Sequence, residues 1–144
     1  MPELLRSVVS RVRIYVRDRR QSPRLLVRLL FTVSMSRKAN GNGSARRQKV
    51  MKGHTRDISI SGLALNVPQV HLDGHHLAAE GRELDLTLEL PGGPITMLVV
   101  SRRYEQLEDA ELGCNYLIGA RIVQIDDEDR ARYLSFINEG LERR

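Results

Sequence analysis

The sequence predicts a mainly β domain, an antiparallel barrel or sandwich closed by one C-terminal helix and preceded by a short helix or arm. Three observations carry this prediction. Apolar residues alternate at period two in about six segments from Leu25 onward. Pro91-Gly92-Gly93-Pro94 separates two of those segments and marks a hairpin. After Asp126 the apolar period changes to that of a helix.

The chain has 144 residues, enough for one domain with a short appendage, and the reading divides it into an arm over 1–18 and a barrel over 19–144. At 41% apolar and 28% charged it can bury a core of its own. No apolar stretch approaches the roughly 20 residues of a membrane span, and no signal-peptide core opens the chain, so a cytoplasmic protein is expected. Cys114 is the single cysteine, which excludes an internal disulfide and a thiolate zinc cluster.

Leu4, Leu5, Val8, Val9 and Val12 recur at helical spacing and predict a helix over 3–17. Pro23 biases Ser22 away from helical geometry, so residues 18–24 read as an extended arm. Leu25, Val27, Leu29, Phe31 and Val33 then share one face of a strand. Ser36–Arg47 is a basic loop rich in Gly, Asn and Ser, and Gln48–Arg56 follows as a second strand. Leu63, Leu65 and Val67 alternate until Pro68 ends the run. Leu84, Leu86, Leu88 and Leu90 alternate with Asp85, Thr87 and Glu89, and the turn leads into Ile95–Arg103. Leu112–Ile125 is a further strand, with Gly119 marking a bulge or a close backbone approach. Asp126 is the expected N-cap of a helix over 126–142, with Ala131, Leu134, Ile137, Asn138 and Leu141 on its inner face.

The net charge of +5 hides an asymmetry. Residues 1–56 carry 15 Lys/Arg against Glu3 and Asp18, a charge of +13, while the other 88 residues carry 8 against 16, a charge of −8. A surplus of that size in one half points to an anionic partner or to neutralisation by the acidic half.

Two motifs narrow the choice. Asp57-Ile58-Ser59-Ile60-Ser61-Gly62 stands at the entrance of the Leu63–Val67 strand, where short polar side chains bond the nearby backbone and Gly62 allows a positive φ or a close approach. A tight turn and a polar pocket both fit it. Arg20-Gln21-Ser22-Pro23-Arg24, with Arg19 before it, places guanidinium groups on an extended arm. Arginine binds phosphate bidentately and reads the O6/N7 edge of guanine with a two-pronged hydrogen bond.

Together these residues resemble the PilZ domain family, whose pattern is an RxxxR arm followed by a [D/N]xSxxG motif, here Arg20–Arg24 and then Asp57, Ser59 and Gly62. The resemblance runs over about residues 19–140 and includes TLELPGGP and the ending YLIGARIVQIDDEDRARYLSFI. It implies a six-stranded antiparallel β-barrel that binds the bacterial second messenger cyclic di-GMP. Arg20 and Arg24 would contact phosphate and the guanine Hoogsteen edges, Asp57 and Ser59 would hydrogen-bond guanine, and Gly62 would leave room for the ligand. Arg19 resembles family variants that take up a stacked pair of ligands. One departure from the family is the longer interval between Arg24 and Asp57, filled by the SRKANGNGSARR loop.

Arg102 and Arg103 end a strand that would lie beside the motif strand in such a barrel, and they are candidates for a further phosphate contact. Arg121 is a candidate of the same kind. His71, Asp73, His75 and His76 read as solvated loop residues, so no metal is expected. Cys114 alternates with Leu112 and Tyr116 and reads as core. No GxSxG elbow, phosphate-cradling Gly loop or HExxH pair is present, and no catalytic residue is expected.

The leading expectation is therefore a sensor that binds cyclic di-GMP without a further cofactor and passes an arm rearrangement to a protein effector, as a monomer or a homodimer. A ligand-independent interaction domain of the same fold is the first alternative, against which the intact motifs argue. Nucleic-acid binding through the +13 half is a weaker one, because exposed aromatics for stacking are few. Docking of Leu4, Val8 and Val12 on a membrane surface is less economical than their packing on the barrel.

Overall fold

A computed structural model describes residues 23–36, 49–72, 74–111 and 114–143. The expected helix over 3–17, Arg19, Arg20, Asp73 and most of the basic loop lie outside the described residues. The elements are β1 (Leu25–Leu26), β2 (Leu30–Met35), β3 (Met51–Ile58), β4 (Gly62–Val67), β5 (His71–Leu72), β6 (His75–His76), β7 (Glu83–Leu90), β8 (Gly93–Glu111), β9 (Cys114–Gln124) and α1 (Asp127–Glu142).

Six antiparallel strands close a barrel in the order β3-β2-β7-β8-β9-β4, and β4 pairs back onto β3. β1 continues the line of β2 along the same edge of β3, with Leu25 opposite Ile58 and Leu26 opposite Asp57. Inward positions on each strand fill the interior: Phe31, Val33 and Met35; Leu63, Leu65 and Val67; Leu84, Leu86 and Leu88; Ile95, Met97 and Val99; Ile118 and Ala120. Each large side chain so buried contributes about 1.5–3 kcal/mol. The hairpin at Pro91–Pro94 forms as the sequence predicts, with Leu88 opposite Ile95 and Leu90 opposite Gly93.

The strand expected from Leu25 is interrupted at residues 27–29. Thr55, buried on β3, supplies the reason: its hydroxyl donates to the Val27 carbonyl at 2.6 Å and accepts from the Leu29 N–H at 2.9 Å. Its own N–H donates to the Leu29 carbonyl at 2.9 Å. Side-chain alternation survives the break, with Leu25, Phe31 and Val33 inside and Leu26 and Leu30 outside.

α1 packs on the barrel with a face that shares Leu134, Ile137 and Leu141 with the expected one but is centred on Tyr133 and Ile137. Tyr133 and Ile137 are fully buried, with Phe136 and Leu141 partly so, whereas Ala131 and Asn138 are exposed. Asp126 occupies the N-cap, but its side chain makes no capping bond. Asp129 instead accepts from the Thr96 N–H at 3.1 Å, and Arg132 donates to the carbonyls of Gly93 at 2.6 Å and Pro94 at 3.2 Å, fixing the helix start to the hairpin. Farther along, Gly140 lies so close to Leu25 that a β-carbon there would collide with the leucine side chain. No helix among the described residues is long and apolar enough to cross a membrane.

Candidate ligand-binding site

The outer face of β3, β4, β9 and β8 carries a groove of about 730 Å³. Its central row follows from strand register: Asp57 stands opposite Ala64, Ala64 opposite Gly119, and Gly119 opposite Arg103. Three strand spacings of about 4.8 Å separate the ends, so Asp57 and Arg103 flank a floor roughly 14 Å wide made of two small residues. On one side of this row Gly62 faces Arg121, and on the other Asn66 faces Leu117, which faces Glu105.

Two β-bulges shape the walls. Register slips between Thr55 and Asp57 on β3, so Arg56 and Asp57 both turn outward while Thr55 and Ile58 stay buried. A second slip lies between Ser101 and Arg103 on β8, opposite Ala120 and Gly119, and turns Arg102 and Arg103 outward together. The expected irregularity near Gly119 is therefore on the strand facing it. The Arg103 stem lies over Gly119, where a β-carbon would meet its Cγ at 3.5 Å, an ordinary contact.

Every described member of the residue set expected from the sequence, Arg24, Asp57, Ser59, Gly62, Arg102 and Arg103, lines this groove. Arg56, Ser61, Glu80, Tyr104 and Glu105 join them without having been singled out in the sequence, as does the weaker candidate Arg121. Arg56 escapes sequence reading because strict alternation puts it on the face opposite Asp57, and only the bulge unites them.

Asp57 is 4% exposed and lies between two guanidinium groups: Arg56 Nε donates to its Oδ2 at 3.1 Å, and Arg24 Nη1 is 3.9 Å from its Oδ1. The root of the arginine arm thus meets the first residue of the Asp57–Gly62 motif. Ser59 builds the turn. Its Oγ accepts from the N–H groups of Gly62 at 3.1 Å and Ser61 at 3.3 Å, and its own N–H donates to the Gly62 carbonyl at 2.8 Å.

Gly62 has a structural reason distinct from ligand space. A β-carbon there would come within 2.5 Å of the Ala120 carbonyl oxygen, so the close pairing of β4 with β9 requires a glycine. It does not adopt the positive φ that the sequence also allowed.

Beneath the turn, Tyr133 donates its hydroxyl to the Ser59 carbonyl at 2.6 Å. Burial raises its pKa well above the usual value, and the Asp57 charge adds to the shift. Burial likewise raises that of Cys114, which lies outside the groove. His71 and His76 pair across β5 and β6 with ring centroids 4.9 Å apart, and no group of three metal-ligating side chains occurs among the described residues.

Solved structures share this architecture. The PilZ domain of Escherichia coli YcgR, solved with cyclic di-GMP, superposes with a TM-score of 0.60 at 10% identity over 84% of this chain and 89% of that one. Bacillus subtilis MotI/DgrA, an inhibitor of motility, gives 0.57 at 17% identity over 84% of this chain and 50% of that one. The MrkH–cyclic di-GMP complex of K. pneumonia gives 0.56 at 17% identity over 79% and 48%. This chain spans about half the length of the last two. No curated protein matches it by sequence. The model of the PilZ domain matches residues 18–139, nearly the whole of the barrel and its helix, and the chain belongs to that family.

Proposed function

We propose that this chain is a receptor for cyclic di-GMP, binding it between the Arg19, Arg20 and Arg24 arm and the outer groove of β3, β4, β9 and β8. The 3.9 Å approach of Arg24 to Asp57 at the edge of a groove floored by Ala64 and Gly119 carries this reading. Two structural neighbours solved with cyclic di-GMP support the ligand class. The groove also suits a dianion, since Arg24, Arg56, Arg102, Arg103 and Arg121 outnumber Asp57, Glu80 and Glu105 on its walls.

In this reading Arg20 and Arg24 clamp phosphate and the Hoogsteen edge of guanine. Asp57 has lone pairs beyond those facing its two arginines, and with the Ser59 turn it receives the N1 and N2 donors of guanine. Arg102 and Arg103 stand on the opposite wall, where Arg102 meets phosphate. The chain acts by binding and not by catalysis, in the cytoplasm, with a protein effector as its output. Ligand that bridges arm and barrel favours one arm position by its differential affinity for the two. α1 touches both parts of the site, Ser59 through Tyr133 and Leu25 beside Gly140, and is a second route by which occupancy reaches a partner.

Titration of the purified protein with cyclic di-GMP, with GTP as competitor, tests the ligand. Saturable binding that GTP does not displace is expected, and its stoichiometry distinguishes one ligand from a stacked pair. Limited proteolysis tests the arm, which is expected to gain protection with ligand; identical cleavage in both conditions would refute the rearrangement.

A further inference from the structure

We propose that Arg103 and Glu105 read adjacent edges of one guanine, and that Glu105 sets the preference for guanine at this end of the groove. The inference rests on the reading of the groove as a cyclic dinucleotide site and extends it to the residue that distinguishes guanine from other purines.

Arg103 and Glu105 lie two positions apart on β8, so their side chains leave the same outer face about 6.7 Å apart. Opposite them on β9 stand Gly119 and Leu117. The Arg103 stem covers Gly119, and Leu117, 7% exposed, gives a low apolar floor beside it for the face of a purine. Neither Arg103 nor Glu105 makes a side-chain hydrogen bond or ion pair with another described residue, whereas Asp57 already lies between Arg24 and Arg56.

The chemistry of the pair is complementary to guanine. A guanidinium presents only donors, which suit O6 and N7, and an ionised carboxylate presents only acceptors, which suit the N1–H and the 2-amino group on the neighbouring edge. One same-face repeat of a strand separates the two forks by about the distance between those edges. Adenine reverses the pattern, with an amino donor before Arg103 and an N1 lone pair before Glu105. Hypoxanthine keeps O6, N7 and N1–H but lacks the 2-amino donor. Glu80, the other exposed carboxylate of the groove, comes from the loop after β6 and not from the row facing Leu117.

The test compares the parent protein with Glu105→Gln, Arg103→Ala and Glu80→Gln, each titrated with cyclic di-GMP, cyclic di-inosine monophosphate and cyclic di-AMP, with melting curves for every variant. The parent is expected to prefer cyclic di-GMP over both analogues. Glu105→Gln is expected to narrow the preference over the inosine analogue by at least about 5-fold, the lower end of what one bidentate base contact supplies. Arg103→Ala is expected to weaken the guanine and inosine ligands alike, since both keep O6 and N7, and Glu80→Gln to keep the parental ratio. Full retention of the preference in Glu105→Gln, or its loss in Glu80→Gln, would overturn the assignment while leaving the receptor reading intact. A parent protein that binds no cyclic dinucleotide would overturn both.

Discussion

Tyr133 of α1 donates its hydroxyl to the carbonyl oxygen of Ser59 at 2.6 Å, a buried bond between residues 74 positions apart. It joins the C-terminal helix to the turn that shapes the groove. Its geometry makes Tyr133 a support for the site, although the residue does not line the groove itself.

Tyr133→Phe keeps the ring and removes that donor, leaving a buried carbonyl without its partner. A loss of about 1–3 kcal/mol is expected in chemical denaturation. The pH dependence has a definite sign. The folded protein holds the Tyr133 proton above the ordinary tyrosine value of about 10, so the native state retains a proton that the unfolded chain releases. This contribution is fully present below about pH 10 and declines as pH rises beyond it. The stability difference between parent and variant should therefore be constant from pH 6 to 9 and shrink in denaturation curves above pH 10.

Gly62→Ala tests the close pairing of β4 with β9. The added carbon meets a backbone carbonyl, which cannot swing aside as a side-chain end can. A loss of about 1–3 kcal/mol, as for overpacking in a core, is expected without any ligand present. A variant as stable as the parent in urea would show that β9 has room to move.

Thr55→Val preserves shape but removes both side-chain bonds to the 27–29 break, leaving the Leu29 N–H and the Val27 carbonyl without this partner. Destabilisation of about 1–3 kcal/mol is expected. Hydrogen exchange should quicken at Leu25 and Leu26, whose pairing with β3 positions Arg24 beside Asp57. Unchanged exchange there would separate the break from the site.

How much of this was legible in the sequence depends on what each feature is made of. Features encoded by side-chain alternation and turn residues were readable, as the Leu84–Leu90 strand and the Pro91–Pro94 hairpin show. The break after Leu26 was not, because Val27 and Leu29 keep the apolar period while Thr55 diverts the backbone bonds. The inner face of α1 was legible at Ile137 and Leu141 but not at Tyr133, for a related reason. Tyr133 looks amphipathic in sequence and becomes fully buried because Ser59 offers its hydroxyl a partner. For the site, the Asp57–Gly62 motif was visible as a motif, but the outward turn of Arg56 beside Asp57 and of Arg102 beside Arg103 depends on bulges that alternation does not encode.

A paired calorimetric titration of the parent and Arg24→Ala with cyclic di-GMP at near-physiological salt, with circular dichroism confirming the same fold in both, tests whether the arm and the barrel hold the ligand between them. Binding of roughly micromolar affinity or tighter is expected in the parent, and a loss of about 30-fold or more in the variant, the lower end of the 2–5 kcal/mol expected when one partner of a desolvated charge pair is removed. Equal affinities in the two proteins would contradict a ligand held between the arginine arm and the barrel.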